Sequence, residues 1–309
     1  MSETWRPTAA IETLRKRAEL LDRTRAFFHD RNIVEVQTST LDRFGVTDVA
    51  IENVEVADHG VLQSSPEYQM KRLLAAGMPS CFQICPAFRK GEVGRWHNNE
   101  FTMLEWYELD VTLDELMAAV AALADHLIGP QPVVTKTVFE LLQDSFDIDP
   151  HRPDEKLCLE VASAEGLQGA RDLHDAIDFL IGSALAKLGS ERVFLTEYPS
   201  YQAALAKTTQ HGDVEVALRF ELVINGLEIA NGYDELRDAF EFRRRCNSDN
   251  VRRAQLGLPP KSIDTNFEAA MTHGLPECCG VAVGLDRLFA LAMDKTALRD
   301  VMAFAARGE

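Results

Sequence analysis

The 309-residue chain has no run of about 18 apolar residues, the length a helix needs to cross a bilayer. Its opening, MSETWRPTAAIETLRKRAEL, lacks the apolar centre of a secretory signal. Six cysteines occur (Cys81, Cys85, Cys158, Cys246, Cys278 and Cys279), but none forms a C-x-x-C pair and no histidines cluster beside them. That spacing excludes the usual zinc sites and leaves small buried hydrophobes in a reducing compartment. Repeats and low-complexity tracts are absent. Cations are scarce: 32 Lys and Arg stand against 49 Asp and Glu, a formal charge of −17, which disfavours non-specific binding of nucleic acid while leaving room for a local basic patch. What is present is a 46% apolar fraction, enough for a packed core, in a length suited to one large domain or two small ones. These features predict a soluble, cytoplasmic protein.

Helical spacing of Ile11, Leu14, Ala18, Leu21 and Phe28 predicts a first helix capped by Thr8, followed by a short strand, IVEVQ, and a loop-rich stretch to Leu62. In QSSPEYQMKRLLAAG, Ser65 is the expected N-cap, Pro66 the first helical residue and Gly77 the stop. Residues 112–129 read as a helix and about 130–190 mainly as helices. Asn225-Gly226, between two β-rich runs, predicts a two-residue hairpin turn, because both positions of that turn need φ > 0. A long helix is expected from YDEL to Gly257, and CCGVAVGLDRLFALAM reads as a strand running into a helix. Hairpin signals without regular β-α-β alternation indicate an α+β fold, a mainly antiparallel sheet flanked by helices.

Several constellations could carry chemistry. With Asn225 and Gly226 as the turn, Val223 faces Glu228 and Glu221 faces Ala230, so Glu221 and Glu228 lie diagonally on one face, about 7 Å apart. A hard cation with phosphates, Mg²⁺ and a nucleotide, would relieve their repulsion; an ordinary solvated sheet face also accommodates them. In FTMLEWYEL, alternation puts Phe101, Met103, Glu105 and Tyr107 on one side, and the carboxylate and phenol would seat an ammonium group; a core tyrosine with a rim glutamate is the plain alternative. Arg89, Arg95, His97 and Asn98 surround the preceding loop, where arginine forks match phosphate or carboxylate and also serve solubility. Gly280, Ala282 and Gly284 alternate ahead of Asp286-Arg287, admitting either a flat ligand or close helix packing. Ser65-Pro66-Glu67 is a helix start whose acid could also meet an amine.

As an ordered set, SSPEYQMKRLL, FRKGEVGRWHNNEFTMLEWYE, RFELVINGLEIANGYDEL and GLPECCGVAVGLDRL resemble the catalytic domain of class II aminoacyl-tRNA synthetases, lysyl-tRNA synthetase in particular, from about Ile11 to Phe304. The first helix begins within the opening dozen residues, so residues 1–309 are expected to be one catalytic domain, with a helical insertion at about 130–190 and no anticodon-binding domain. The likeness is then to stand-alone paralogues that transfer lysine or (R)-β-lysine to elongation factor P and are not expected to charge tRNA; Ala282, a glycine in the synthetase motif, fits them. The resemblance implies ATP and Mg²⁺ as cofactors and a homodimer, with no membrane partner. It places Arg89 and Arg287 in catalysis, and Arg89, Lys90, Gly91, His97, Asn98, Glu228, Ile229, Gly284 and Arg287 around ATP. Ser65, Pro66, Glu67, Glu105, Tyr107, Asn231, Glu235 and Ala282 would enclose the amino acid, and Glu221 and Glu228 would hold the metal. Two positions depart from the family: Gly91 stands where it has a glutamate, with Glu92 next door, and Ser39 where it has a proline. A small-molecule amide synthetase and a non-catalytic lysine- or ATP-binding paralogue are the rival readings. A basic cluster, Arg243, Arg244, Arg245, Arg252 and Arg253, reads either as a solvated helix face or as a contact for an acidic, tRNA-shaped partner.

Overall fold

The computed structural model describes residues 5–189 and 191–306. Helix α1 (Ile11–His29) is preceded by Ala10 at the cap position, with no side-chain cap. Thr8 instead donates its hydroxyl to the Met302 carbonyl at 2.7 Å and its N–H to the Ala303 carbonyl at 2.8 Å, tying residues far apart in sequence. Strand β1 (Val34–Glu35) follows. The stretch predicted as loop contains β2 (Leu41–Asp42), β3 (Val54–Val56) and β4 (Gly60–Leu62), a small sheet in the order β2-β4-β3. Strands of two or three residues are too short for alternation to register in the sequence.

The chain continues through α2 (Glu67–Ala75), β5 (Cys81–Phe88), β6 (Glu100–Leu109), α3 (Leu113–Ile128), β7 (Val133–Thr137), α4 (Val138–Phe146), α5 (Glu155–Ala164) and α6 (Leu173–Lys187). Then come β8 (Arg192–Pro199), β9 (Thr208–His211), β10 (Val214–Ile224), β11 (Leu227–Asp234), α7 (Ala239–Gln255), α8 (Thr265–Gly274), β12 (Cys278–Gly284) and α9 (Leu285–Ala292). The predicted long helix begins later than expected, because Tyr233 and Asp234 belong to β11 and Asp238 accepts from the N–H groups of Phe240 and Glu241 as the cap. The large sheet runs β1-β5-β6-β12-β11-β10-β8-β7, with β9 on β10. Its pairings are antiparallel except at the two outer junctions, β1 with β5 and β7 with β8, so the sheet is mixed rather than uniformly antiparallel.

Strand alternation gives this sheet two unlike faces. Leu104 and Trp106 of β6, Phe220 and Leu222 of β10, and Val281 and Val283 of β12 share a buried core with residues of α1, α3 and α9. The other face of β6, β10, β11 and β12 carries polar side chains and lines a cavity of about 1300 Å³. Helices α4 to α6 pack a second core against β8 and β10 beside it. All six cysteines are buried and unpaired. No helix among the described residues is long and apolar enough to cross a membrane.

Candidate active site

The predicted turn forms: Asn225 and Gly226 have φ of 56° and 70°, and Val223 pairs with Glu228 as expected. Beyond that point the register differs. Glu221 faces Asn231, not Ala230, because Ile229 enters as an extra residue between the Leu222–Ala230 and Val223–Glu228 pairs. The bulge leaves Glu221 and Glu228 both on the cavity. Burial and then the nearby Glu228 charge push the Glu221 carboxyl up to about 7, opposed by Arg219. Arg219 pairs with Glu221 at 2.6 Å and lies 4.2 Å over the Tyr198 ring.

At one end of the cavity three cationic or polar side chains converge. Arg287, in the first turn of α9, donates to the Glu228 carbonyl at 2.8 Å and the Trp96 carbonyl at 3.2 Å, and its third nitrogen lies 2.9 Å from His97 Nε2. Since a guanidinium only donates, His97 accepts and is neutral with its proton on Nδ1. Burial and then the Arg287 charge lower the His97 pKa, in agreement. Arg89 lies 5.2 Å over the Phe101 ring and 3.7 Å from Glu92, and its buried Nε has no hydrogen-bond partner among the described residues. Gly91 has φ +82°, a conformation a glutamate would adopt only under strain, and Glu92 supplies the cavity-facing carboxylate instead. Asn98 also lines the cavity, but its amide is engaged by the Glu100 carbonyl and the Ala306 N–H.

The other end is acidic. As alternation predicts, Phe101, Met103, Glu105 and Tyr107 face the cavity. Glu105, 2% exposed, accepts from the Ser65 hydroxyl at 2.6 Å and the Tyr107 hydroxyl at 2.5 Å. Ser65 Oγ accepts from the Glu67 N–H at 3.0 Å, so it turns the chain into α2, which starts one residue after the predicted Pro66. Glu235, 1% exposed, joins them across β12: a side chain on Gly280 would meet both Tyr107 and Glu235, so packing accounts for that glycine, while Ala282 and Gly284 line open space. The buried Oδ1 of Asn231 has no hydrogen-bond partner among the described residues. Sequence reasoning missed Lys71. Fully buried on α2, its ammonium lies 2.6 Å from Glu67 and 2.5 Å from Glu235. Burial alone would lower its pKa, but the charges of Glu235 and Glu67 outweigh that and hold it above the ordinary lysine value. Burial, reinforced by Glu67, pushes Glu105 up to about 7; burial also pushes Glu235 up to about 8, against the pull of Lys71.

Of the residues predicted for the site, Ser65, Glu67, Arg89, His97, Asn98, Glu105, Tyr107, Glu221, Glu228, Ile229, Asn231, Glu235, Ala282, Gly284 and Arg287 line the cavity, whereas Pro66, Lys90 and Gly91 do not. Ser39 stands outside it, with Gln69 bonded to both its N–H and its carbonyl, which fixes the turn without a proline. Of the α7 arginines, Arg243 and Arg244 are exposed, as a solvated helix face predicts, Arg245 and Arg252 are half-buried and Arg253 is buried, and all five are ion-paired within the chain rather than forming a free basic patch. Arg243 pairs with Glu268, Arg244 and Arg245 with Glu241, Arg252 with Asp172 and Asp175, and buried Arg253 with Glu52.

A mixed sheet, antiparallel from β5 to β8, whose open face joins a cationic grip to an acidic pocket is the arrangement of an enzyme that activates an amino acid with a nucleotide. The sequence pattern of the class II tRNA synthetases (D, K and N) matches residues 3–308, and the chain belongs to that family. Within it, similar proteins carry the name Elongation factor P--(R)-beta-lysine ligase. One from Photorhabdus laumondii is 39% identical over 322 residues, covering 99% of each chain. Another, from Salmonella paratyphi A, is 40% identical with 98% of each chain covered, and one from Haemophilus ducreyi is 40% identical, covering 97% of this chain and 95% of its own.

Proposed function

We propose that the protein uses ATP to activate lysine or (R)-β-lysine as an aminoacyl-adenylate and transfers the aminoacyl group to a lysine ε-amine of elongation factor P. One observation carries this reading. Glu67, Glu105 and Glu235 converge on one pocket, and among the described residues their ion pairs are with Lys71 alone. Three carboxylates against one ammonium leave two negative charges when all are ionised, matching the two ammonium groups of a diamino acid. The relatives' printed name supplies the acceptor and the (R)-β isomer.

In the first step the amino acid's carboxylate oxygen attacks the α-phosphorus of ATP, and pyrophosphate leaves. Arg89 and Arg287, both lining the cavity, neutralise charge on the five-coordinate phosphorus. Neutral His97 holds Arg287 in place. Glu221 and Glu228 would hold a Mg²⁺ ion, since the Glu228 charge adds to the burial that raises the Glu221 carboxyl and a bound hard cation would offset both. When bound, such an ion neutralises phosphate charge. In the second step the acceptor amine attacks the adenylate carbonyl, the C–N bond forms, the C–O bond to phosphate breaks, and AMP leaves with release of the amine's protons. No enzyme nucleophile is needed. We read residues 1–309 as a single catalytic domain with α4 to α6 inserted, acting in the cytoplasm as a homodimer.

The test is lysine-dependent exchange of pyrophosphate into ATP without acceptor, followed by the mass of elongation factor P after incubation with each lysine isomer. Exchange followed by one added aminoacyl group is the expected result; binding without exchange would reduce the protein to a non-catalytic paralogue. The same assay has a pH signature. Below about pH 7 Glu105 and Glu235 hold protons that the substrate's ammonium groups must displace, so the KM for lysine should rise by up to about tenfold per pH unit for each proton displaced. Between pH 8 and 9 it should level off, while the substrate's side-chain ammonium is still charged.

A further inference from the structure

Lys71 stands behind the acidic pocket. It is fully buried on α2 and does not line the cavity, whereas Glu67 and Glu235, which it touches, both do. Its ammonium therefore acts on a ligand only through those two carboxylates. It pairs with Glu67 Oε1 at 2.6 Å and with Glu235 Oε2 at 2.5 Å. The other Glu235 oxygen, Oε1, lies against Gly280, where an added Cβ would come within 2.5 Å of it. The Glu235 N–H donates to the Cys278 carbonyl at 3.2 Å, so the ammonium ties the start of α2 to a point already fixed on the sheet.

The groups around the two glutamates offer no other counter-charge. Tyr68 comes from α2, Glu105 and Tyr107 from β6, Tyr233 from β11, and Cys278 and Cys279 from β12, while α8 presents the Phe267 ring 5.8 Å from the ammonium. Burial pushes these phenols and thiols up, so they stay neutral. Asp234, next to Glu235, is paired with Lys207 at 2.6 Å.

We propose that Lys71 is a positioning residue for the substrate: it keeps Glu67 and Glu235 ionised and aims them at the cavity, so that a diamino acid's ammonium groups meet carboxylates rather than carboxyls. The assignment rests on the reading of the protein as a lysine-activating ligase. Without Lys71, the burial that already biases Glu235 toward its protonated form loses the charge opposing it, and the substrate has to displace that proton.

Lysine-dependent pyrophosphate exchange by Lys71→Met and Lys71→Arg, followed from about pH 6 to about pH 9, tests it. An opposite charge at this distance is worth about one to three pK units, so in the methionine variant KM for lysine should rise by about tenfold or more at pH 7. That KM should still be falling between about pH 8 and 9, where the unaltered protein levels off. KM for ATP should stay within about twofold, since Arg89, His97 and Arg287 lie at the other end of the cavity. A partly folded population lowers the exchange rate without moving either KM or its pH dependence. The arginine variant keeps the charge and should level off where the unaltered protein does, which tests the proposal even if the methionine variant does not fold. A methionine variant whose KM for lysine follows the unaltered pH profile, or whose KM for ATP rises in step, would overturn the role. So would an arginine variant whose KM for lysine is still falling at about pH 9. Absence of lysine-dependent exchange in the unaltered protein would instead overturn the ligase reading.

Discussion

Replacing Lys71 by methionine should destabilise the fold by about 3–5 kcal/mol, the range for removing one partner from a buried ion pair. In a chain of this size that corresponds to a fall in Tm of roughly 10 °C. The reason is local: Lys71 is fully buried and touches both Glu67 and Glu235, so methionine leaves two carboxylates in low dielectric without their cation. The loss should shrink as the pH is lowered from about 8 to about 6, because burial already biases Glu235 toward its protonated form near pH 8 and a protonated carboxyl needs no counter-charge. Lysine→arginine at the same position keeps the charge and should recover part of the loss. Thermal melts of both variants across that pH range check the point; a pH-independent loss under about 1 kcal/mol would mean that packing of the side chain, not its charge, is what matters there.

Arg89→Ala and Arg287→Ala should each lower kcat for pyrophosphate exchange by about 10²- to 10³-fold, the scale for removing one preorganised donor from a site where charge develops. Neither change should unfold the protein. Arg89 lies on Phe101 with one ion pair among the described residues, at 3.7 Å to Glu92, and Arg287 bonds mostly to carbonyls and His97. Lysine should rescue poorly at either position, because an ammonium lacks the planar fork that meets two phosphate oxygens together. Rates within about tenfold of normal, with KM for ATP unchanged, would place the phosphate grip elsewhere.

Much of the site was readable before any coordinates because it rests on local rules. Alternation put Phe101, Met103, Glu105 and Tyr107 of β6 on one face and grouped Gly280, Ala282 and Gly284 of β12, and all seven line the cavity; Asn225-Gly226 fixed the turn. Local rules fail where a contact bridges distant segments. The bulge at Ile229 shifted Glu221 to Asn231, and a period-two pattern carries no sign of one inserted residue. Lys71 reads in EYQMKRLL as an ordinary polar helix position; its meaning comes from Glu235, far along the chain. The α7 arginines looked free for the same reason, since most of their partners lie on the loop before β3, α6 and α8. Thr8 had the right residue type for a cap but was drawn off by the carbonyls at 302 and 303.

The most direct test of the central claim is a crystal structure with a non-hydrolysable lysyl-adenylate analogue. The account predicts the phosphate mimic between Arg89 and Arg287, with the lysyl ammonium groups on Glu67, Glu105 and Glu235 beside Tyr107. An analogue bound elsewhere, or with its side-chain ammonium directed into solvent away from Glu235, would contradict it.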